Sequence, residues 1–287
     1  MEYFLNRYDN MKKISLIVLV LAGLSLTSLM VNNNTSNFEK KSPFKVIRVN
    51  GKILFVKTNS EMKRGDVYVN GTPLKFVTNT AKAAIINPQK GRYVLQANTK
   101  GKVKVLPATS NVTSRAGALI NQIDLQNHFS GKYLIFDEDV ITIGSEAFPM
   151  DEKHFFYLKY DYKGESVAKI IPHQGNKMIL NKNEIFKIDG QPIPVEEKEM
   201  TLYYRNDIDK KSYKINTFIP IFPDLNEMKI EVKMLLDELG GNHSDEDKIS
   251  EITSYLNEFY GEPQKESLYK WLEKEFKINV EKDIKFK

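Results

Sequence analysis

Histidines 128, 154, 173 and 243 carry all the imidazole chemistry open to this sequence, and the absence of cysteine removes thiol nucleophiles, disulfides and thiolate zinc sites together. No two of these histidines lie within four residues of each other, so the H-E-x-x-H spacing that sets two imidazoles on one helix face is missing. Gly144-Ser145-Glu146 lacks the second glycine of a nucleophile elbow and has no base beside it. The acidic triplets Asp137-Glu138-Asp139 and Asp245-Glu246-Asp247 lack the alternating spacing that wraps calcium, and the second suits a helix N-terminus. Gly240-Gly241 ends a helix instead of opening one, which removes a phosphate loop. No catalytic residue, metal site or cofactor is therefore expected.

Two residues stand as candidate ligand contacts. Arg115 is a lone charge among small residues, Ser114-Arg115-Ala116-Gly117-Ala118, followed by Leu119-Ile120, an environment that forks a guanidinium onto a carboxylate or a set of carbonyls. His154 opens the aromatic run His154-Phe155-Phe156-Tyr157-Leu158-Lys159-Tyr160, which reads as a central strand covered on both faces. The competing reading makes Arg115 a structural clamp and His154 a satisfied core histidine.

Charge adds a second kind of candidate. Residues 39–121 hold 16 cations against 3 acids, and residues 222–260 hold 3 against 10, so a net +5 conceals segments of +13 and −7. Such asymmetry implies internal docking or an anionic partner, such as an anionic glycan or lipid. The candidate surface for that partner is Lys52, Lys57, Lys63, Arg64, Lys75, Lys82, Lys90, Arg92, Lys100, Lys102 and Lys104. Nucleic acid is not expected, since no helix-turn-helix, zinc-finger or RNA-binding signature accompanies the charge.

The elements that hold these residues are mainly β with some α. Turn signals separate short strands at 45–49, 52–57, 67–69, 74–77, 83–86, 92–97 and 103–106; Asn50-Gly51 and Asn70-Gly71 supply positive φ, and the pattern suggests a small barrel or roll. Sheet character continues through 108–223. After Pro223 the period changes: Asp224 caps a helix over 225–239, Ser244 with Asp247 opens 245–260, and Pro263 opens a third helix to about Phe276, each with one apolar stripe. The expected divisions are a stub and membrane or signal segment (1–31), a linker (32–44), a basic β module (45–107), a second β-rich domain (108–223) and an acidic helical region (224–287).

Residues 14–31 form an uncharged run of 18, about 27 Å as a helix and long enough to cross a bilayer. Arg7, Lys12 and Lys13 precede it and an uncharged Asn-rich stretch follows, which places the N-terminus in the cytoplasm and the body outside. The alternatives are a retained inner-membrane anchor and a signal peptide cleaved near Gly23/Ser25 or Leu26/Ser28.

The order Val49-Asn50-Gly51-Lys52-Ile53, Met62-Lys63-Arg64-Gly65-Asp66, Leu74-Lys75-Phe76, Ala81-Lys82-Ala83, Gly91-Arg92-Tyr93-Val94-Leu95 resembles the FecR-like domain over residues 45–97. The resemblance implies a small all-β periplasmic module of envelope regulators and secreted proteins. In the iron-regulator branch it would also imply a cytoplasmic helical anti-sigma domain before the membrane, and the 13 residues ahead of the run are too few to fold as one. The expected role is a non-catalytic binding or scaffold component of a cell-envelope protein complex. A periplasmic hydrolase acting on glycan or peptide and a transmembrane signalling partner are the alternatives.

Overall fold

A computed structural model describes residues 42–97, 103–108, 115–117, 119–241 and 243–280. The expected membrane or signal segment at 14–31 and the candidate residues Lys100 and Lys102 lie outside the described residues. Among those described, no helix is long and apolar enough to cross a membrane. The described residues from Phe44 onward form one compact unit, and its architecture is mainly β with helices, as the periodicities imply.

The first layer is a roll. Strands β1 (Phe44–Asn50), β2 (Ile53–Phe55), β3 (Ser60–Glu61), β4 (Val67–Tyr68), β5 (Leu74–Phe76), β6 (Lys82–Asn87), β7 (Gly91–Ala97) and β8 (Val103–Pro107) make a five-stranded sheet, β4-β1-β6-β7-β8, and a three-stranded sheet, β3-β2-β5. One face of the larger sheet packs inward through Phe44, Val46, Ala83, Ile85 and Leu95. The register shift between Val46 and Arg48 inserts Ile47 as a bulge, so Ile47 and Arg48 both turn to the opposite face, where Ala84, Ile86 and Val94 also lie.

The second layer begins with α1 (Gln122–His128). Strands β9 (Gly131–Leu134), β10 (Glu138–Thr142), β11 (His154–Tyr162), β12 (Glu165–Ile170), β13 (His173–Gln174) and β14 (Lys177–Asn181) follow. Then come α2 (Lys182–Ile185), β15 (Lys187–Ile188), β16 (Gln191–Pro192), β17 (Met200–Asn206) and β18 (Lys211–Ile221). Helices α3 (Leu225–Leu239) and α4 (Asp245–Phe259), the short strand β19 (Glu262–Pro263) and α5 (Lys265–Phe276) complete the unit. The six-stranded sheet runs β12-β11-β17-β18-β9-β19, and β10-β14-β13 forms a second sheet over it.

The expected covering of β11 on both faces is not found. It lies between β12 and β17, but only Phe156, Leu158 and Tyr160 are buried, whereas Tyr157 stacks on Tyr203 at 5.1 Å on a half-open face and Lys159 is exposed. Aromatic side chains pairing across neighbouring strands supply the apolar density that reads as double burial in one dimension.

Helix starts follow their caps. The Asp224 side chain accepts from the backbone of Asn226 and Glu227, and Ser244 with Asp247 closes a reciprocal capping box. Pro263 ends up in β19, one residue before the Gln264 cap of α5, because Glu262–Pro263 pairs in parallel with β9. The close approach there requires Gly261: its φ is +132°, and a Cβ would sit 2.7 Å from the Lys132 carbonyl. The stripes of α3, α4 and α5, through Met228, Val232, Leu235, Ile252, Leu256, Leu268 and Leu272, share one core with the outer face of the roll.

Candidate functional site

Arg115 is 5% exposed and belongs to a segment bonded to the α5 entry, with its N–H donating to the Pro263 carbonyl and its own carbonyl accepting from Lys265. The guanidinium donates to five carbonyls: Glu262 at 3.2 Å, Asn127 and Lys132 at 3.3 Å, Ser130 at 2.6 Å, and His128. Its charge lies 4.6 Å from the centre of the Tyr133 ring. The Asn127 and His128 carbonyls belong to the C-terminal end of α1, where the helix leaves acceptors unpaired and favours a cation. All five guanidinium donor directions thus serve the junction of α1, β9 and β19. Burial lowers the Arg115 pKa, against the pull of Glu262, Tyr133 and Asp139.

Behind the arginine runs a buried polar chain. His128 Nε2 stands 3.2 Å from the Tyr133 hydroxyl, and both residues are buried. Burial, with Arg115 nearby, pushes the His128 pKa down to about 3, so its ring is neutral at physiological pH. Beyond Tyr133 lies Asp139, fully buried, with neither carboxylate oxygen closing a hydrogen bond. Its pKa is raised to about 6 by desolvation, with Glu266 adding to the rise; the facing hydroxyls of Ser267 and Tyr133 and the charge of Lys270 oppose it. Burial and Asp139 raise the Tyr133 pKa.

Beside this chain opens a cleft of about 460 Å³, walled mainly by Leu119, Ile120, Val140, Ile141 and Ile143, with Gln264 and Glu266 at one end. Gly144 brings its walls together: its N–H donates to the Leu119 carbonyl at 2.8 Å, and a Cβ there would sit 3.0 Å from the Ile120 Cα. Ile120 and Val140 are 60% and 40% exposed, which makes an apolar rim. Across the Arg115–Leu119 segment a second hollow of about 340 Å³ is bordered by Asp124 and Glu262.

His154 does not join Arg115. Its Nδ1 is 3.0 Å from both Asp151 carboxylate oxygens at the turn into β11, and His154 is not among the residues lining the Arg115 cleft. The hydrogen bonds from His154 hold Asp151 below the usual carboxylate range.

The basic candidates divide. Arg92, with none of its side chain exposed, binds Glu251 at 2.5 Å, Glu258, and the Ser254 hydroxyl at 2.8 Å. Arg64 pairs with Glu227, and Lys82 donates to the Glu258 carbonyl while lying 4.7 Å from the Phe259 ring centre. All three fasten the roll to α3 and α4. Lys52, Lys57, Lys63, Lys75, Lys90 and Lys104 are exposed, and among the described residues none of them forms an ion pair.

Sequence reasoning missed the centre of this seam. Glu231, 3% exposed, accepts from Arg48 at 2.9 and 3.1 Å, from Tyr255 at 2.7 Å and from Tyr260 at 2.5 Å. The signal was present, because Glu231 stands three residues after Met228 and four before Leu235, on the buried stripe of α3. A polar cleft of about 600 Å³ at this seam also gathers Glu196, Glu197, Asp224 and Glu227. Among the described residues no group of three or more His, Asp or Glu side chains is arranged to hold a metal ion. No known family model matches the chain, and no curated protein matches it.

Proposed function

We propose that this protein is a non-catalytic binding or scaffold component of the cell envelope, with its body outside the cytoplasm, residues 14–31 as anchor or signal, and a FecR-like roll. The observation that carries the binding role is the cleft beside Arg115. Its most conspicuous polar residues are committed to internal contacts, Arg115 to five carbonyls and His128 to Tyr133, while Ile120 and Val140 remain exposed at an apolar rim. Such a rim suits recognition of a partner better than turnover of a substrate.

The lack of cysteine makes the test clean. A single Ile120→Cys in the full chain, at a residue that lines the cleft and is exposed, should react with a membrane-impermeant maleimide in cells whose inner membrane is intact. A photo-crosslinker attached there should give discrete adducts that the same label at exposed Ile208 does not. Labelling only after membrane disruption would overturn the location, and identical adduct patterns at 120 and 208 would overturn the binding role.

A second reading, a periplasmic hydrolase acting on glycan, draws support from the gathering of Glu196, Glu197, Asp224 and Glu227 on the seam cleft. Release of reducing ends from purified envelope glycan, abolished by Glu227→Gln, would favour it. Absence of release would leave those acids to fastening and solvation.

A further inference from the structure

We propose that the cleft beside Arg115 receives an extended, cation-bearing apolar segment of a partner protein, which adds as a strand to the free edge of β10; this deepens the binding role above and rests on it. Strand β10 is ladder-paired on one side only, with β14. Main-chain groups along an edge strand alternate between the two sides, and the bonds here fix the phase. Ile143 donates to Asn176 on the β14 side at 2.9 Å, and Gly144 donates to Leu119 on the opposite side at 2.8 Å. The Val140 carbonyl accepts from Gln264 Nε2 at 3.3 Å on that same opposite side. Val140 and Thr142 therefore turn their peptide groups toward the cleft.

The neighbouring chain already begins the missing strand and then abandons it. Arg115 forms a parallel bridge with Gln264, and Leu119 forms another with Ile143. Between those two bridges Ala116 and Gly117 line the cleft from its other side. The Gln264 side-chain amide stands at Val140 where the peptide group of a strand would stand, so an incoming segment would meet one edge whose ends are held and whose middle is open.

Charge selects the kind of strand. The carboxylates bordering the cleft and the adjoining hollow are Glu266; Asp124, which accepts from the backbone of Ile120 and Asn121 at the start of α1; and Glu262, 3.8 Å from Arg115, and the bordering cation, Arg115, is sealed among carbonyls. His128 contributes a neutral ring. A strand alternating aliphatic and cationic side chains would place the first kind on the inward face of β10, beside Leu119, Ile141 and Ile143, and leave the second for the bordering carboxylates.

The test uses the full chain in detergent and a fluorescein-labelled, end-capped hexapeptide of alternating valine and lysine, read by anisotropy at low salt. That peptide should bind at least tenfold more tightly than its valine–glutamate counterpart and than a version with a central proline. Ala116→Trp, at an exposed position that fills the cleft, should abolish binding with an unchanged melting temperature. Glu266→Gln should weaken the lysine peptide several-fold and leave the glutamate peptide no weaker. Equal binding of the three peptides, binding of none, or binding indifferent to both variants would overturn the proposal, as would adsorption to anionic vesicles that competes fully with the peptide. If adducts at Ile120 persist while no peptide binds, strand addition fails and the broader binding role stands.

Discussion

Arg48 and Glu231, 183 positions apart, meet through two contacts of 2.9 and 3.1 Å at the seam between the roll and the helices. The bulge at Ile47 aims the arginine, and the stripe of α3 carries the glutamate. Tyr255 and Tyr260 complete the glutamate's acceptor sites, so the charge is buried with its partners in place.

Removing the carboxylate from that arrangement leaves Arg48 without its anionic partner, holding only Asn50 and the Tyr260 hydroxyl, and strands the Tyr255 hydroxyl. Glu231→Ala should cost about 3–5 kcal/mol, the range for breaking a buried pair from one side. Glu231→Gln, which keeps the shape and an acceptor oxygen, should cost less. Urea unfolding of both variants checks the order, and a cost for Glu231→Ala within the scatter of surface variants would show that water replaces the pair freely.

The Arg92 contacts lead to a prediction about cooperativity. Because Glu251 and Glu258 hold an arginine whose side chain is fully covered, and Ile47, Ala84, Ile86 and Val94 share a core with α3, α4 and α5, the roll and helices should unfold in one transition. Molar salt should shift that transition little, since buried pairs are poorly screened. By contrast, Glu197→Gln, which breaks the exposed contact with Lys132 at 2.6 Å, should change stability by no more than about 0.5 kcal/mol. Two resolved transitions, or a salt-induced separation of roll from helices, would contradict this.

How much of this was legible follows from what each feature depends on. Strands at the Asn-Gly turns and helices at Asp224 and Ser244 rest on local chemistry, and their positions could be read within a few residues. The charge asymmetry announced that something would meet the basic segment, but whether a partner or α3 and α4 meets Arg64, Lys82 and Arg92 depends on contacts across more than 150 positions. Arg115 could be picked out by its isolation among small residues, whereas its five carbonyl partners exist only once α1, β9 and β19 converge. His154 was misleading: its neighbours suggested a core, yet its ring caps a turn at Asp151. Asp139 hid in an acidic triplet whose members diverge, Asp137 to Lys182, Glu138 to Asn181, and Asp139 inward beside Ile141 by strand alternation.

Arg115→Lys preserves the charge and discards the fork. One ammonium has three donors on a flexible stem and cannot reach carbonyls of α1, β9 and β19 at once, so several carbonyls lose their partner. The expected loss is about 3 kcal/mol, with hydrogen exchange at the Lys265 amide, bonded to the Arg115 carbonyl at 3.0 Å, accelerated beyond what global destabilisation explains. Unchanged protection at that amide would mean the main-chain bridge holds without the guanidinium.

His128 and Asp139 flank Tyr133 with pKa values displaced in directions that oppose each other in their effect on stability. His128 falls to about 3 from 6.5, so between those values the unfolded chain binds the extra proton and stability drops as pH falls. Asp139 rises to about 6 from 3.8, so between those values the folded chain binds it and stability grows as pH falls. Over the two pH units from 6 to 4 the two contributions have opposite slopes and similar size, each about 3 kcal/mol at most at 1.36 kcal/mol per unit. Their sum in the wild type is nearly flat across that window. Asp139→Asn should be more stable than wild type at pH 7, where the buried charge has its full cost, and should lose this advantage as pH approaches 4. His128→Gln removes the other slope, so its stability relative to wild type should improve steadily from pH 6.5 to 4. Chemical denaturation of the three proteins across that range decides the matter through differences, in which titrations shared by all of them cancel. Parallel curves would mean that neither group titrates differently on folding, and a reversed order would mean that the charged form of Asp139 is stabilised inside the fold.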